Sequence, residues 1–137
     1  MSLKRFSILG LLILTSMVGT AMFAKTYPLT SEPGTPAASG HIDVGKDKNG
    51  NVEVTIRTEH LAKPGMLTPP ATAYVVWFQE QASDPANQGQ LMVAKSLKSE
   101  FKTATQFRNF DVFITAEGDP MTKIPSGQIV LRAKVQM

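Results

Sequence analysis

Two histidines, eleven acidic side chains and seven methionines make up the chemically interesting residues of this 137-residue chain. Cysteine is absent, which removes disulfides, thiolate metal sites, thiol nucleophiles, c-type haem attachment and iron–sulfur clusters in one step. His41 and His60 flank a segment that reads as a hairpin, and neither has a second histidine at i+2 or i+4 to complete a chelating pair. A copper site of the soft-ligand kind would draw on His60, six residues before Met66, and on Met92, Met121 and Met137. Those methionines fall on different segments, where a thioether more often fills a gap in a core. Glu117 and Asp119 stand close together after a strand, a spacing at which two carboxylates can share acid and base roles and at which solvated loops also carry them. Asp47, Asn49 and Asn51 imitate the start of a calcium loop. The calcium template wants glycine at the sixth position and a bidentate glutamate at the twelfth, however, and Gly50 is fourth from Asp47. The chain has no nucleophile elbow, phosphate-binding glycine loop or zinc-protease helix motif. Neither catalysis nor a cofactor nor a bound metal is therefore expected, and His60, Met66, Glu117 and Asp119 stand as candidate contact residues on loops.

The elements that position these residues read as strands. Beyond residue 40 the apolar side chains recur with period two rather than 3.6. Seven segments carry the pattern: residues 41–45, 51–58, 71–79, 90–94, 101–105, 110–117 and 128–135. Between the first two, Asn49 and Gly50 predict a type I′ hairpin turn with both residues at positive φ. Residues 62–70 and 80–89, rich in proline, glycine or polar residues, read as loops, as do residues 118–127, which hold two prolines and end in Gly127. Along 110–117 Phe110, Val112 and Ile114 share one face and Phe113 takes the other. Seven short strands in about a hundred residues predict an all-β fold, an antiparallel immunoglobulin-like β-sandwich over residues 41–137. Trp77, the sole tryptophan, falls in the third strand and is expected to pack between the two sheets.

Upstream, Lys4 and Arg5 precede an apolar run over residues 6–24, the n-region and h-region of a secretory signal peptide, with small residues at Gly19, Ala21 and Ala24 for cleavage. The run is also nearly long enough to span a bilayer as an uncleaved signal anchor. Both readings of residues 1–24 place the rest of the chain outside the cytoplasm, periplasmic or secreted, with membrane contact only if the run is retained. Residues 25–40, rich in Pro, Gly, Ser and Thr, read as a flexible leader. Charge excludes one class of partner. The chain has 14 basic and 11 acidic residues, a net charge of +3, and losing Lys4 and Arg5 with a signal would leave about +1. The basic residues are spread singly, without the clustered lysines and arginines that displace counterions from nucleic acid.

Several short motifs recur in a familiar order: TAYVVWF with Trp77, then Asn87-Gln88-Gly89-Gln90-Leu91, then FDVFITAE, then Pro125-Ser126-Gly127 leading into IVLRAKV. This pattern, spanning residues 71–135, resembles the extracytoplasmic C-terminal domain of the anti-sigma-K factor family. The matching positions are Trp77, Asn87, Gly89, Leu91, Phe113, Thr115, Glu117, Pro125, Gly127, Val130 and Leu131, which the resemblance implies are structural. A membrane anti-sigma factor needs a cytoplasmic sigma-binding domain, and only five residues precede the apolar run. The resemblance thus implies an outer domain exported alone. The function expected is that of a non-enzymatic exported module that binds a protein or surface component of the bacterial envelope; a periplasmic small-ligand or copper-binding protein is the alternative.

Overall fold

A computed structural model of the chain describes residues 25–137. The expected signal segment, residues 1–24, lies outside the described residues. Eight strands follow one another: β1 (Lys25–Ser31), β2 (Ser39–Lys46), β3 (Val52–Glu59), β4 (Ala73–Gln79), β5 (Ala86–Leu91), β6 (Ser99–Thr105), β7 (Asn109–Glu117) and β8 (Ile129–Gln136). They form one antiparallel sheet in the order β5-β4-β7-β8-β1-β2-β3-β6, curled into a nearly barrel-like shape. The fold is all-β as expected, but with eight strands rather than seven.

The additional strand comes from the supposed leader. Tyr27 and Leu29 alternate with polar neighbours, and Leu29 is buried in the core. Proline and threonine hide this pattern in a composition count, yet Pro28 suits its place. Residues 25–29 pair with β2, whereas only Thr30 and Ser31 pair with β8. Pro28 has no N–H to donate to a further bond with β8. β1 thus joins two halves of the sheet, β2-β3-β6 and β8-β7-β4-β5.

The hairpin between β2 and β3 forms by a different turn from the one predicted. Only Gly50 has a positive φ, +79°. The Asp47 N–H donates to the Asn51 carbonyl and the Gly50 N–H to the Asp47 carbonyl, a three-residue loop with glycine at the left-handed position. The Asp47 carboxylate takes the place of the missing second turn residue by accepting the Asn49 and Asn51 N–H groups, each at 2.8 Å.

Inside the curl, Ile42, Val44, Val52, Val54, Ile56, Tyr74, Val76, Phe78, Val112, Ile114, Leu131 and Val135 make one continuous core. Fully burying each large aliphatic side chain of this set contributes about 2 kcal/mol. Phe110, Val112 and Ile114 face this core and Phe113 faces away, as their alternation predicts. Trp77 departs from expectation. Its neighbours Val76 and Phe78 point inward, so the period of two turns Trp77 onto the opposite, outer face. There it forms a second cluster with Val75, Phe113 and Ile129. Two bulges shape this region: Gln88 is an extra residue in β5 opposite Val76 and Trp77, and Val130 an extra residue in β8 opposite Ile114 and Thr115. The segment 80–89, expected as loop, already contains most of β5, whose polar residues Asn87, Gln88 and Gln90 conceal a strand.

Candidate functional site

Strand direction divides the connections into two sets. Every neighbouring pair is antiparallel, so β1, β3, β5 and β7 all end at the same pole. The connections that begin there are residues 32–38, 60–72, 92–98 and 118–128, and the opposite pole has only the shorter turns 47–51, 80–85 and 106–108. The long-loop pole exposes Met66, Met92, Leu97, Met121 and Ile124, with Met66, Met121 and Ile124 each about three-quarters accessible. Large apolar side chains held in water on a rigid frame are a feature of contact surfaces.

The loops of this pole are tied down. The Tyr74 hydroxyl donates to the Ala62 carbonyl at 2.6 Å, and burial pushes its pKa up to about 12. Leu61, fully buried, donates its N–H to the Leu97 carbonyl and so joins loop 60–72 to loop 92–98. His60 and Leu97 stand at φ of +56° and +63°, a left-handed conformation costly for residues with a Cβ and retained where the surroundings impose it.

The third tie is a buried network under loop 118–128. The Trp77 Nε1–H donates to Thr115 Oγ1 at 2.8 Å, and that hydroxyl donates to Glu117 Oε2 at 2.5 Å. Glu117, 1% exposed, also accepts from the Ser126 hydroxyl at 2.7 Å and from the Ser126 and Gly127 N–H groups. Burial works against its charge, and the bonds from Thr115, Ser126 and Gly127 outweigh burial and hold the carboxyl below its ordinary value. Next to it Asn87 donates to the Pro120 and Thr122 carbonyls and accepts the Gly89 N–H. A Cβ on Gly127 would lie 1.6 Å from the Ala116 carbonyl oxygen, so only glycine fits. Trp77 and Phe113 stack with centroids 6.3 Å apart. The motif residues Trp77, Asn87, Gly89, Phe113, Thr115, Glu117 and Gly127 therefore belong to one assembly that straps loop 118–128 to the outer face of the sheet.

Of the four candidate contact residues, the structure brings two together. His60 and Met66 line a hollow of about 480 Å³ between loops 32–38 and 60–72, together with Thr35, Ala62, Leu67 and Thr68. Glu117 and Asp119 do not line it. All the donors to Glu117 come from its own network, and Asp119 accepts the Met121 N–H at 2.9 Å to shape the loop tip. Among the described residues no three His, Asp or Glu side chains come together in a group that could hold a metal ion. Reading 25–40 as leader hid the wall formed by 32–38, and Leu97 and Ile124 went unmarked because a loop residue's exposure has no periodic signal. No protein-family model matches the chain, and no curated protein matches it in sequence.

Proposed function

We propose that this protein is a non-enzymatic exported β-module that binds a protein of the bacterial envelope through its long-loop pole. The observation that carries this reading is the gathering of Met66, Met92, Leu97, Met121 and Ile124, exposed and apolar, on three of the four loops at one end of the sheet. Aliphatic and thioether side chains there offer contact area that loses water on binding, and methionine adapts to irregular partners. The motif assembly under loop 118–128 supports kinship with the outer domains of anti-sigma factors. The curled sheet, with two halves joined through β1, is read as a variant of the immunoglobulin-like sandwich. Export is supported by Lys4, Arg5 and the apolar run 6–24, which ends where β1 begins. With β1 starting at Lys25, little chain is left for a tether, so a retained anchor would hold the domain against the membrane by its short-turn pole.

The test compares the native protein with a Met66→Gln, Met121→Gln, Ile124→Gln variant in gently extracted envelope fractions. The expected result is that the wild type migrates in a larger complex and the variant, with an unchanged circular dichroism spectrum, migrates at its own size. An unchanged complex in the variant would overturn the reading.

The hollow shared by His60 and Met66 supports a second reading, a site for a small ligand or cuprous copper. Titration with cuprous ion against a competing chelator tests it: wild-type uptake that His60→Ala abolishes supports the site, and equal uptake by both removes it.

A further inference from the structure

We propose that the free edge of β6 pairs with the β6 of a second copy of this chain, antiparallel about a two-fold axis at Phe101. The sheet ends in β5 and β6. The β5 edge is interrupted by its bulge at Gln88 and held by Asn87 to loop 118–128. β6 bonds β3 over residues 99–105, and no strand is hydrogen-bonded to its other side, where β5 comes near without pairing. Its inward Phe101 ring ends 3.2 Å from the place of a Gly89 Cβ, whereas Glu100, Lys102 and Ala104 on the same strand are exposed.

The backbone phase of that edge follows from the hairpin. The Asp47 N–H bond to the Asn51 carbonyl makes 47 and 51 a hydrogen-bonded pair. Bonded and non-bonded pairs alternate in an antiparallel ladder, so residues 53, 55, 57 and 59 of β3 bond β2, and 52, 54, 56 and 58 bond β6. On β6, residues 99, 101, 103 and 105 therefore face β3. The N–H and C=O groups of Glu100, Lys102 and Ala104 face outward and are free to bond.

Four two-fold registers near the strand centre satisfy this phase, and one of them, with its axis at Thr103, sets Lys102 opposite Ala104 and pairs no opposite charges. An axis at Glu100 sets Glu100 against itself, and an axis at Lys102 sets Lys102 against itself. An axis at Phe101 sets Glu100 of each copy opposite Lys102 of the other, as two bonded pairs on one face. Opposite charges attract across such pairs and like charges repel. Glu100 and Lys102 are about half and two-thirds exposed, and both stand on the outer face next to Arg57 and Asp43. The charged row of Asp43, Arg57, Glu100 and Lys102 would continue across the axis with alternating signs. A lysine on an edge discourages pairing with an uncharged strand, and Glu100 beside it makes a second copy the complementary match. Because the paired strands run oppositely, the dimer directs its two long-loop poles in opposite directions. This inference stands independently of what those poles bind.

Sedimentation velocity and amide exchange on the protein, with whichever N-terminus the producing cell leaves, test the pairing from micromolar to about 1 mM, the weak end of specific association. The expected result is a concentration-dependent dimer in which the Glu100, Lys102 and Ala104 amides gain protection. Lys102→Glu, which places four carboxylates around the axis, should raise the dissociation constant about tenfold or more, and Glu100→Lys with Lys102→Glu should restore it. A monomer throughout the range overturns the proposal, as does a dimer indifferent to both variants. Protection of these amides only by envelope extract would assign the edge to a foreign strand and equally overturn it.

Discussion

Glu117 has exchanged water for four donors, the Thr115 and Ser126 hydroxyls and the Ser126 and Gly127 N–H groups. A charged acceptor this well surrounded is costly to lose, because the donors left behind stay buried. Glu117→Ala is expected to destabilise the protein by about 3 kcal/mol in urea unfolding. Since Trp77 is the sole tryptophan and hangs on the same network, its emission should move to longer wavelength in that variant. Acid should act in the same direction. The carboxyl lies below its ordinary value of 4.5, so the folded protein binds this proton less tightly than the unfolded chain. Its stabilising contribution is complete above that value and is lost as pH falls through the lowered folded value. Thermal melts should therefore show an acid decline in the wild type that Glu117→Gln flattens; parallel declines would remove Glu117 from that role. The sequence pointed to Glu117 as a loop carboxylate beside Asp119, and the two prove to be unlike. Its three partner residues stand at i−2, i+9 and i+10, and no local spacing announces a carboxylate that bonds back across a loop.

Elements were legible where one face is apolar and the other polar. β2, β3, β7 and β8 followed from period-two alternation, and the buried run of β4 from its length and its bounding prolines. β1 was not legible, and β5 only at its end, Gln90 and Leu91, because their residues are mostly polar. The phase of β4 was legible in principle: Tyr74, Val76 and Phe78 on one side put Trp77 on the other. With both faces buried, however, the sequence does not mark which side is the main core. Glycines test the turns. Gly127→Ala must displace the Ala116 carbonyl and should unfold loop 118–128 or cost about 3 kcal/mol or more. Gly50→Ala, with open space around it but φ at +79°, should cost only about 1 kcal/mol. Urea midpoints of the two variants check that order, and a reversed order would contradict the account of both turns.

At the scale of the whole molecule, the sheet separates a plain pole of short turns from a pole of four long loops. Chain entry at Lys25 lies at the plain pole, since β1 runs from there towards the loops. A chain held at its N-terminus would present the loops outward, and a chain released would carry them on a free surface. The loop pole was partly legible: segments 62–70 and 118–127 stood out by composition, while their meeting at one end depends on the number of strands between them, which only the whole topology supplies. The most direct measurement is site-specific photo-crosslinking in the producing cell, with the reactive residue at Met66 or Met121 and, as controls, at Lys48 or Glu53. The account predicts one shared partner captured from positions 66 and 121 and none from 48 and 53. Capture from the short-turn pole alone, or equally from both poles, would contradict the claim that the long loops are the binding surface.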